Sequence, residues 1–266
     1  MGKIIGITGK TGVVGELVAE KLIQCGYRVV PFENDIRDMQ AVLKWIDDNP
    51  FYAVLHLAAL VPVDQVEAKP FKAYNINVGG TLNLLNALTG IVNKPWFFYA
   101  STSHVYKSSD KPLCEDDPAE PITLYGKTKY YAEEVVHSFS KEYEFPVCIG
   151  RIFSFYHETQ KKPFLYPAIK ERLATEDLSK PFYLKGAQSI RDLQSAENVA
   201  QSIIDVLKVK YTGLINIGSG KGISIQAFVR GLVDENLDIV IDKDEKKSSL
   251  IADVTKLAAL KGDARG

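Results

Sequence analysis

The chain has 266 residues and a formal net charge of −1, so neither a nucleic-acid surface nor an anionic membrane face is expected of it. A hydrophobic content of 46% against 24% charged residues suits a globular enzyme, built as one large domain or as one domain with a smaller lobe. Three cysteines, Cys25, Cys114 and Cys148, are widely spaced and outside any metal-binding pattern. They read as reduced thiols of a cytoplasmic protein, with no metal site expected. No apolar segment reaches membrane-spanning length, and the direct entry into a core strand is expected to leave no room for a leader peptide.

Ile4, Ile5 and Ile7 open the chain as a short β-branched run, the pattern of a strand buried on both faces. Gly9, Gly12 and Gly15 follow at intervals of three. Glu16 to Cys25 is helical in its spacing of Leu17, Val18, Leu22 and Ile23, and Gly26 stands where a helix C-terminus would put it. Strand, glycine-rich turn and helix in this order form a corner where backbone can approach a pyrophosphate closely. The helix N-terminus there offers free N–H groups to the anion. Gly9, Thr11, Gly12, Val13, Val14 and Gly15 are therefore expected to hold a dinucleotide, NAD(H) or NADP(H).

A second strand over Tyr27 to Phe32 ends at Glu33, which stands 24 residues after Gly9. This carboxylate either accepts the adenosine ribose hydroxyls, favouring NAD because it repels a 2′-phosphate, or is a solvated loop residue. Asp35-Ile36-Arg37-Asp38 comes almost at once and leaves little room for a helix between the second and third strands. Asp38 is placed to cap a helix from Met39 to Asp48. Tyr52 to Leu57 is a buried strand ending in His56-Leu57-Ala58-Ala59, whose small residues leave space for a ligand at the sheet edge. Asn77-Val78-Gly79-Gly80-Thr81 leads into an apolar helix, and Trp96 to Ala100 forms a strand running into Ser101-Thr102-Ser103-His104-Val105-Tyr106.

Tyr125 and Lys129 stand four apart in a segment that continues helically through Ala132, Val135, Val136 and Phe139. Positions i and i+4 share a face, so the ammonium is expected to lie near the phenol and lower its pKa toward neutrality, as a general acid/base requires. The Thr102 hydroxyl, at a strand end, is placed to donate a hydrogen bond to a substrate carbonyl or alkoxide.

Taken together these motifs resemble the extended short-chain dehydrogenases, the NAD-dependent epimerase/dehydratase family acting on nucleotide sugars. The likeness runs nearly end to end: Thr8 to Gly15, Asp35-Ile36, His56 to Ala59, Asn77 to Thr81, Ser101-Thr102 with Val105-Tyr106, and Tyr125 with Lys129. It continues in Arg151-Ile152-Phe153, Arg191-Asp192-Leu193 and Asn216 to Gly220. The resemblance implies a Rossmann-type α/β fold, a doubly wound parallel sheet with a small C-terminal substrate-binding lobe. Residues 1–155 would form the dinucleotide domain with 190–218 returning to it, and 156–189 and 219–266 would form the lobe.

It also implies roles. Tyr125 would be the proton donor/acceptor, Lys129 would hold the nicotinamide ribose and tune Tyr125, and Thr102 would bind the reacting oxygen. Asp35 and Ile36 would flank the adenine, Leu57, Ala58 and Ala59 would line the path of the adenosine and pyrophosphate, and Phe153 would lie beside the nicotinamide. Ser103, His104 and Ser154 would face the sugar nucleotide, with Ser154 in a place the family gives to Asn. Arg191 would grip the substrate diphosphate, or else pair with Asp192.

The family's dehydratases carry Asp-Glu after the Thr; here Ser103 and His104 disfavour dehydration. The short Phe32 to Ile36 link resembles compact enzymes of the dTDP-4-dehydrorhamnose reductase type. His104 occupies the place of an acid/base cysteine in the GDP-fucose synthase type; it either moves a proton beside a ketone or merely lines the pocket. The expectation is an NAD(P)-dependent reductase acting at C4 of a nucleotide-linked hexose, with a 4-epimerase or epimerase-reductase as the alternative. A non-catalytic dinucleotide-binding regulatory subunit is the alternative of another class. A homodimer through a four-helix bundle, built from the helix after Thr81 and the helix carrying Tyr125, completes the expectation.

Overall fold

The structure is a computed structural model that describes residues 2–233, 237–241 and 246–263. In chain order, β1 (Ile4–Thr8) leads through the glycine turn into α1 (Val13–Gln24), followed by β2 (Arg28–Phe32), α2 (Met39–Asp47) and β3 (Ala53–His56). Two short helices, α3 (Val63–Ala68) and α4 (Pro70–Tyr74), and a π-helical turn over Asn75–Gly79 precede α5 (Gly80–Thr89). Next come β4 (Trp96–Thr102), a 3-10 turn over Ser103–Val105, α6 (Leu124–Tyr143) and β5 (Val147–Ile152). The remainder holds β6 (Ser154–Tyr156), α7 (Leu165–Thr175), β7 (Phe182–Tyr183), β8 (Ile190–Ser195), α8 (Ala196–Lys208) and β9 (Gly213–Ile217). It closes with β10 (Gly222–Ser224), α9 (Ile225–Arg230), β11 (Ile239–Val240), β12 (Ser249–Leu250) and α10 (Thr255–Asp263).

Six of the strands form one parallel sheet in the order β2-β1-β3-β4-β5-β9. Strand alternation divides β4 between two cores. Trp96 and Phe98 join Ile5, Ile7, Leu22, Leu55 and Ile203 under α1 and α8. Phe97 and Tyr99 join Val42, Ile46, Leu84, Leu85 and Val136 under α2, α5 and α6. Each fully buried aliphatic side chain of this kind contributes roughly 1.5–3 kcal/mol. The sheet is thus a doubly wound Rossmann-type α/β layer, and its winding reverses between β1 and β3, where such sheets open a crevice at their C-terminal edge.

Local signals act as read. Asp38 caps α2, its Oδ1 accepting from the N–H groups of Gln40 and Ala41, both at 3.1 Å, so a nine-residue helix does fit between β2 and β3. Thr123 caps α6 in the same way, accepting from Gly126 N at 3.1 Å.

The C-terminal third departs from expectation in two places. β8 does not return to the main sheet: it pairs with β6, β10 and β12 in a second sheet. The tail is not all lobe either, because α10 packs on α8 and β9, and Leu257 is buried in the main core. A separate core of Ile169, Phe182, Leu184, Ile225, Val229 and Ile239 forms the small lobe. The buried Asp192 carboxylate ties these parts together, accepting from Ser219 N, Ser219 Oγ, Gly220 N and Ala252 N.

Candidate active site

A cleft of about 790 Å³ opens at the C-terminal edge of the main sheet, over the reversal point and beneath the lobe. One wall is the glycine turn, with Gly9, Thr11, Gly12, Val13, Val14 and Gly15 all lining it. A Cβ on Gly15 would lie 2.2 Å from the Gly9 carbonyl oxygen, so only glycine lets the turn fold back on itself here. No side chain caps α1, so its first-turn N–H groups remain available to an anion. This bare backbone cradle at a helix N-terminus fits the diphosphate of a dinucleotide.

The opposite wall carries Thr102, Ser103, His104, Tyr125, Lys129, Phe153 and Ser154, with Arg191 contributed by β8. Thr102 ends β4, and its Oγ accepts the His104 N–H at 3.3 Å, which turns the chain into the 3-10 segment. Gly126 permits α6 to start against that segment, since a Cβ there would lie 2.2 Å from the His104 carbonyl oxygen. Tyr125 consequently meets the His104 ring edge-on, with centroids 5.6 Å apart.

One electrostatic expectation is corrected. Tyr125 is pushed up to about 12 rather than toward neutrality, because burial disfavours the phenolate and the Thr102 hydrogen bond offsets only part of this. Lys129 instead has its Nζ over the Tyr99 ring, 4.1 Å from its centroid, and burial lowers its own pKa to about 7. His104 is lowered to about 4 by burial and by the Arg191 charge, so at neutral pH it is an uncharged imidazole able to accept a proton and not to donate one as an acid.

A chain of hydrogen bonds fastens the two walls to each other. Ala58 N–H donates to Thr8 Oγ at 3.2 Å, and Thr8 Oγ is 2.7 Å from His56 Nδ1. His56 Nε2 is 3.0 Å from Thr81 Oγ, which donates to the Asn77 carbonyl at 2.7 Å. The Asn77 side chain then grips Leu60 N and O, at 2.7 and 3.0 Å, and donates to Thr128 Oγ at 2.9 Å. Burial lowers His56 to about 3, so it is a neutral linker. Asn77 and Thr81 belong to a motif read from the sequence, but this fastening role of Asn77 and Thr128 depends on the π-helical turn, which no residue spacing announced.

Four expected cofactor residues do not line the cleft. Glu33 and Asp35 are exposed, and Asp35 is held by Arg37 through Nε bonds of 2.9 and 3.1 Å, which lowers its carboxyl to about 2. Ile36 is buried and blocked by α5, where a Cβ on Gly80 would lie 2.4 Å from its side chain. Ala58 serves the hydrogen-bond chain, while its neighbours Leu57 and Ala59 line the cleft as expected. Arg191 does not pair with Asp192. Its guanidinium donates to Ile190 O, Ser248 O and Ser248 Oγ, and among the described residues no carboxylate pairs with it. The lobe wall, with Thr159, Gln160, Lys161, Phe164 and Lys185, escaped the sequence reading, because short loops carry no periodic signal. Among the described residues no Asp or Glu lines the cleft, whereas Lys129, Lys161, Lys185 and Arg191 do.

Comparison with known proteins bears on the family and the fold. The family model described as GDP-mannose 4,6 dehydratase matches residues 31–259. UDP-arabinose 4-epimerase 1 of Arabidopsis thaliana is 27% identical over 272 residues, covering 84% of this chain and 65% of that protein. Methionine adenosyltransferase 2 subunit beta of Rattus norvegicus is 32% identical over 165 residues, covering 58% of this chain and 48% of that protein. Two solved structures share the fold. UDP-glucose 4-epimerase of Thermus thermophilus, in complex with NAD, is 20% identical with a TM-score of 0.84, covering 96% of this chain and 92% of its own. RMD of Pseudomonas aeruginosa, complexed with NADPH, is 22% identical with a TM-score of 0.86, covering 98% and 92%.

Proposed function

The chain belongs to the extended short-chain dehydrogenase/reductase family, in its epimerase/dehydratase branch, and from that premise we propose that it is an NAD-dependent 4-epimerase of a nucleotide-diphosphate sugar. One observation carries the reading: Thr102, Tyr125 and Lys129 face the bare glycine turn across a cleft that, among the described residues, carries cations and no carboxylate. A dinucleotide and a nucleotide sugar each bring a diphosphate, and such a cleft suits both. Arg191, which pairs with no carboxylate among the described residues, is the residue for the substrate diphosphate.

When bound, the nicotinamide supplies the acceptor and donor of a hydride at sugar C4. The chain's own residues handle the proton. Thr102 orients the C4 oxygen, and Tyr125 takes its proton and returns it. Because burial keeps Tyr125 a phenol at neutral pH, ionisation needs positive charge beside it, and Lys129, one helical turn on along the same face of α6, is assigned that part. His104, neutral and hydrogen-bonded through its backbone, packs against Tyr125 as a wall of the sugar site.

The compact link before Ile36 favours a 4-ketoreductase, but the similar proteins named as 4-epimerases outweigh a spacing. The test is to incubate the protein with UDP-arabinose or UDP-glucose and follow anomeric proton signals by NMR. A C4 epimer formed without net NADH supports the reading. Stoichiometric NAD(P)H consumption on a 4-keto sugar, with no epimer, replaces it by the reductase. A second reading, a non-catalytic subunit, is favoured by the likeness to methionine adenosyltransferase 2 subunit beta. It prevails if the protein binds NAD(H) yet turns over no nucleotide sugar.

The same proposal includes a homodimer through α5 and α6. Phe71 on α4 is 78% exposed and Tyr131 on α6 49% exposed, with Tyr74 and Tyr131 in ring contact at 6.2 Å, so this face offers apolar surface for a bundle. A monomeric mass by light scattering at micromolar concentration contradicts it.

A further inference from the structure

We propose that Glu133 is a positioning residue that keeps Lys129 charged, with Arg151 as the counter-ion that holds the carboxylate in place; the proposal rests on the role given to Lys129 above. Tyr125, Lys129 and Glu133 follow one another at four-residue spacing on one face of α6, and all three are buried. Glu133 lies between the helix and the sheet. Its Oε1 accepts from Ser101 Oγ on β4 and from Arg151 Nε on β5 at 3.1 Å, and its Oε2 accepts from Arg151 Nη2 at 2.7 Å. Ser101 and Arg151 are register partners in the sheet, one residue before Thr102 and two before Phe153. A single carboxylate therefore ties together the three elements whose ends line the reaction wall.

The guanidinium is committed to this carboxylate. It lies over the Tyr106 ring at 4.5 Å, Tyr106 is fixed by its hydroxyl donating to Asn216 Oδ1 at 2.9 Å, and Arg151 Nη1 is buried with no hydrogen-bond partner among the described residues. Among the described residues the groups shown to act on or touch Lys129 are otherwise neutral, His56 from β3 and Tyr99 from β4, with Tyr125 one turn before it on α6 and His104 against Tyr125. Among the described residues Glu133 is thus the negative charge that acts on a buried ammonium solvent no longer stabilises, and it opposes the loss of that proton. Burying an ion pair is a poor device for stability, since breaking it leaves a naked charge and replacing it by neutral groups costs little. A pair placed one helical turn below a buried lysine has an electrostatic use instead.

The experiment follows the titration of Lys129 in the full chain labelled with 13Cε-lysine, its NMR signal assigned by its disappearance in Lys129→Met. Glu133→Gln keeps the shape and removes the charge, so the midpoint should fall by at least one pH unit, a tenfold loss of proton affinity. Arg151→Gln frees the carboxylate to act on Lys129, so the midpoint should rise. A merely structural pair would destabilise the fold in both variants without shifts of opposite sign. If neither single variant is soluble, Glu133→Gln/Arg151→Gln leaves no unpaired buried charge, and its midpoint should still fall because the carboxylate is the nearer influence on Lys129. Midpoints unchanged from wild type in the folded variants overturn the proposal. The measurement needs neither substrate nor turnover, so a protein inactive on every nucleotide sugar would overturn the proposed reaction and leave this result standing.

Discussion

The reaction end of the cleft and the end expected to meet the adenosine are built on opposite terms. At the reaction end Thr102, Tyr125, Lys129 and Glu133 are all buried, each placed by a strand end, a helix face or a close backbone approach. At the other end Glu33, Asp35 and Arg37 stand in solvent, and the one ion pair there joins two residues of the same short loop. Burial makes a side chain's position a consequence of packing, whereas an exposed side chain takes its position from whatever arrives. The difference sets the size of the effects expected from substitution.

The largest lies at the reaction end. Tyr125→Phe removes the hydroxyl and keeps the ring packing, so turnover should fall on the order of a hundredfold or more while cofactor affinity survives; steady-state kinetics with calorimetry on the same variant checks both. Wild-type turnover would reduce the buried wall to a scaffold. Next, Gly12→Asp places a carboxylate against the glycine cradle, where a Cβ meets only the Gly9 carbonyl oxygen at 3.4 Å. The fold should persist and calorimetry should show NAD(H) affinity lowered by on the order of a hundredfold.

Two further expectations concern stability. His56 and His104 are lowered to about 3 and about 4, so between those values and about 6.5 the unfolded chain binds more protons than the folded one. Stability should fall as pH drops from 6.5 through 4, by about 5 kcal/mol in total, and His104→Asn should make the decline shallower in denaturant titrations. Lys129, lowered to about 7, works in the alkaline window: between about 7 and 10.5 the unfolded chain again binds more protons, so this group's cost fades as pH rises. Lys129→Met should therefore stabilise the fold by about 1–3 kcal/mol at pH 7, with the gain vanishing near pH 10.5, even as activity is lost. Thermal melts across pH decide it.

The smallest effect belongs to the exposed end. Arg37→Gln should change turnover less than twofold, and Glu33→Ser should relax any preference for NAD over NADP by only a few-fold. A tenfold change in either would mean that this end closes around its ligand and that the contrast between the two ends does not survive binding.

The same contrast explains what could be read in the residues alone. The glycine turn, the Asp38 cap, the alternation through β4 and the four-residue spacing of Tyr125 and Lys129 are local patterns, and each appears in the fold as its pattern requires. Membership of β8 in the second sheet was not legible, because a strand's partners depend on residues far along the chain, here Ser154–Tyr156, Gly222–Ser224 and Ser249–Leu250. The pKa of Tyr125 was misjudged for a related reason: spacing reveals a neighbouring cation, but desolvation comes from the whole surrounding shell. Glu133 was within reach, since it continues the Tyr125 and Lys129 face by one more step. The partner that makes it meaningful, Arg151, lies on a strand 18 residues later.

The hydrogen-bond chain from Ala58 through Thr8, His56 and Thr81 to Asn77 has a direction. It begins at a peptide N–H and ends at a peptide carbonyl, so every hydroxyl and the imidazole between them must donate the same way. Reversing it would require a backbone amide to surrender its proton. The chain is therefore an insulator rather than a proton wire: it joins the two walls mechanically while conducting no charge behind the sheet. No proton can therefore reach the reaction wall along this chain, which leaves it a purely mechanical link.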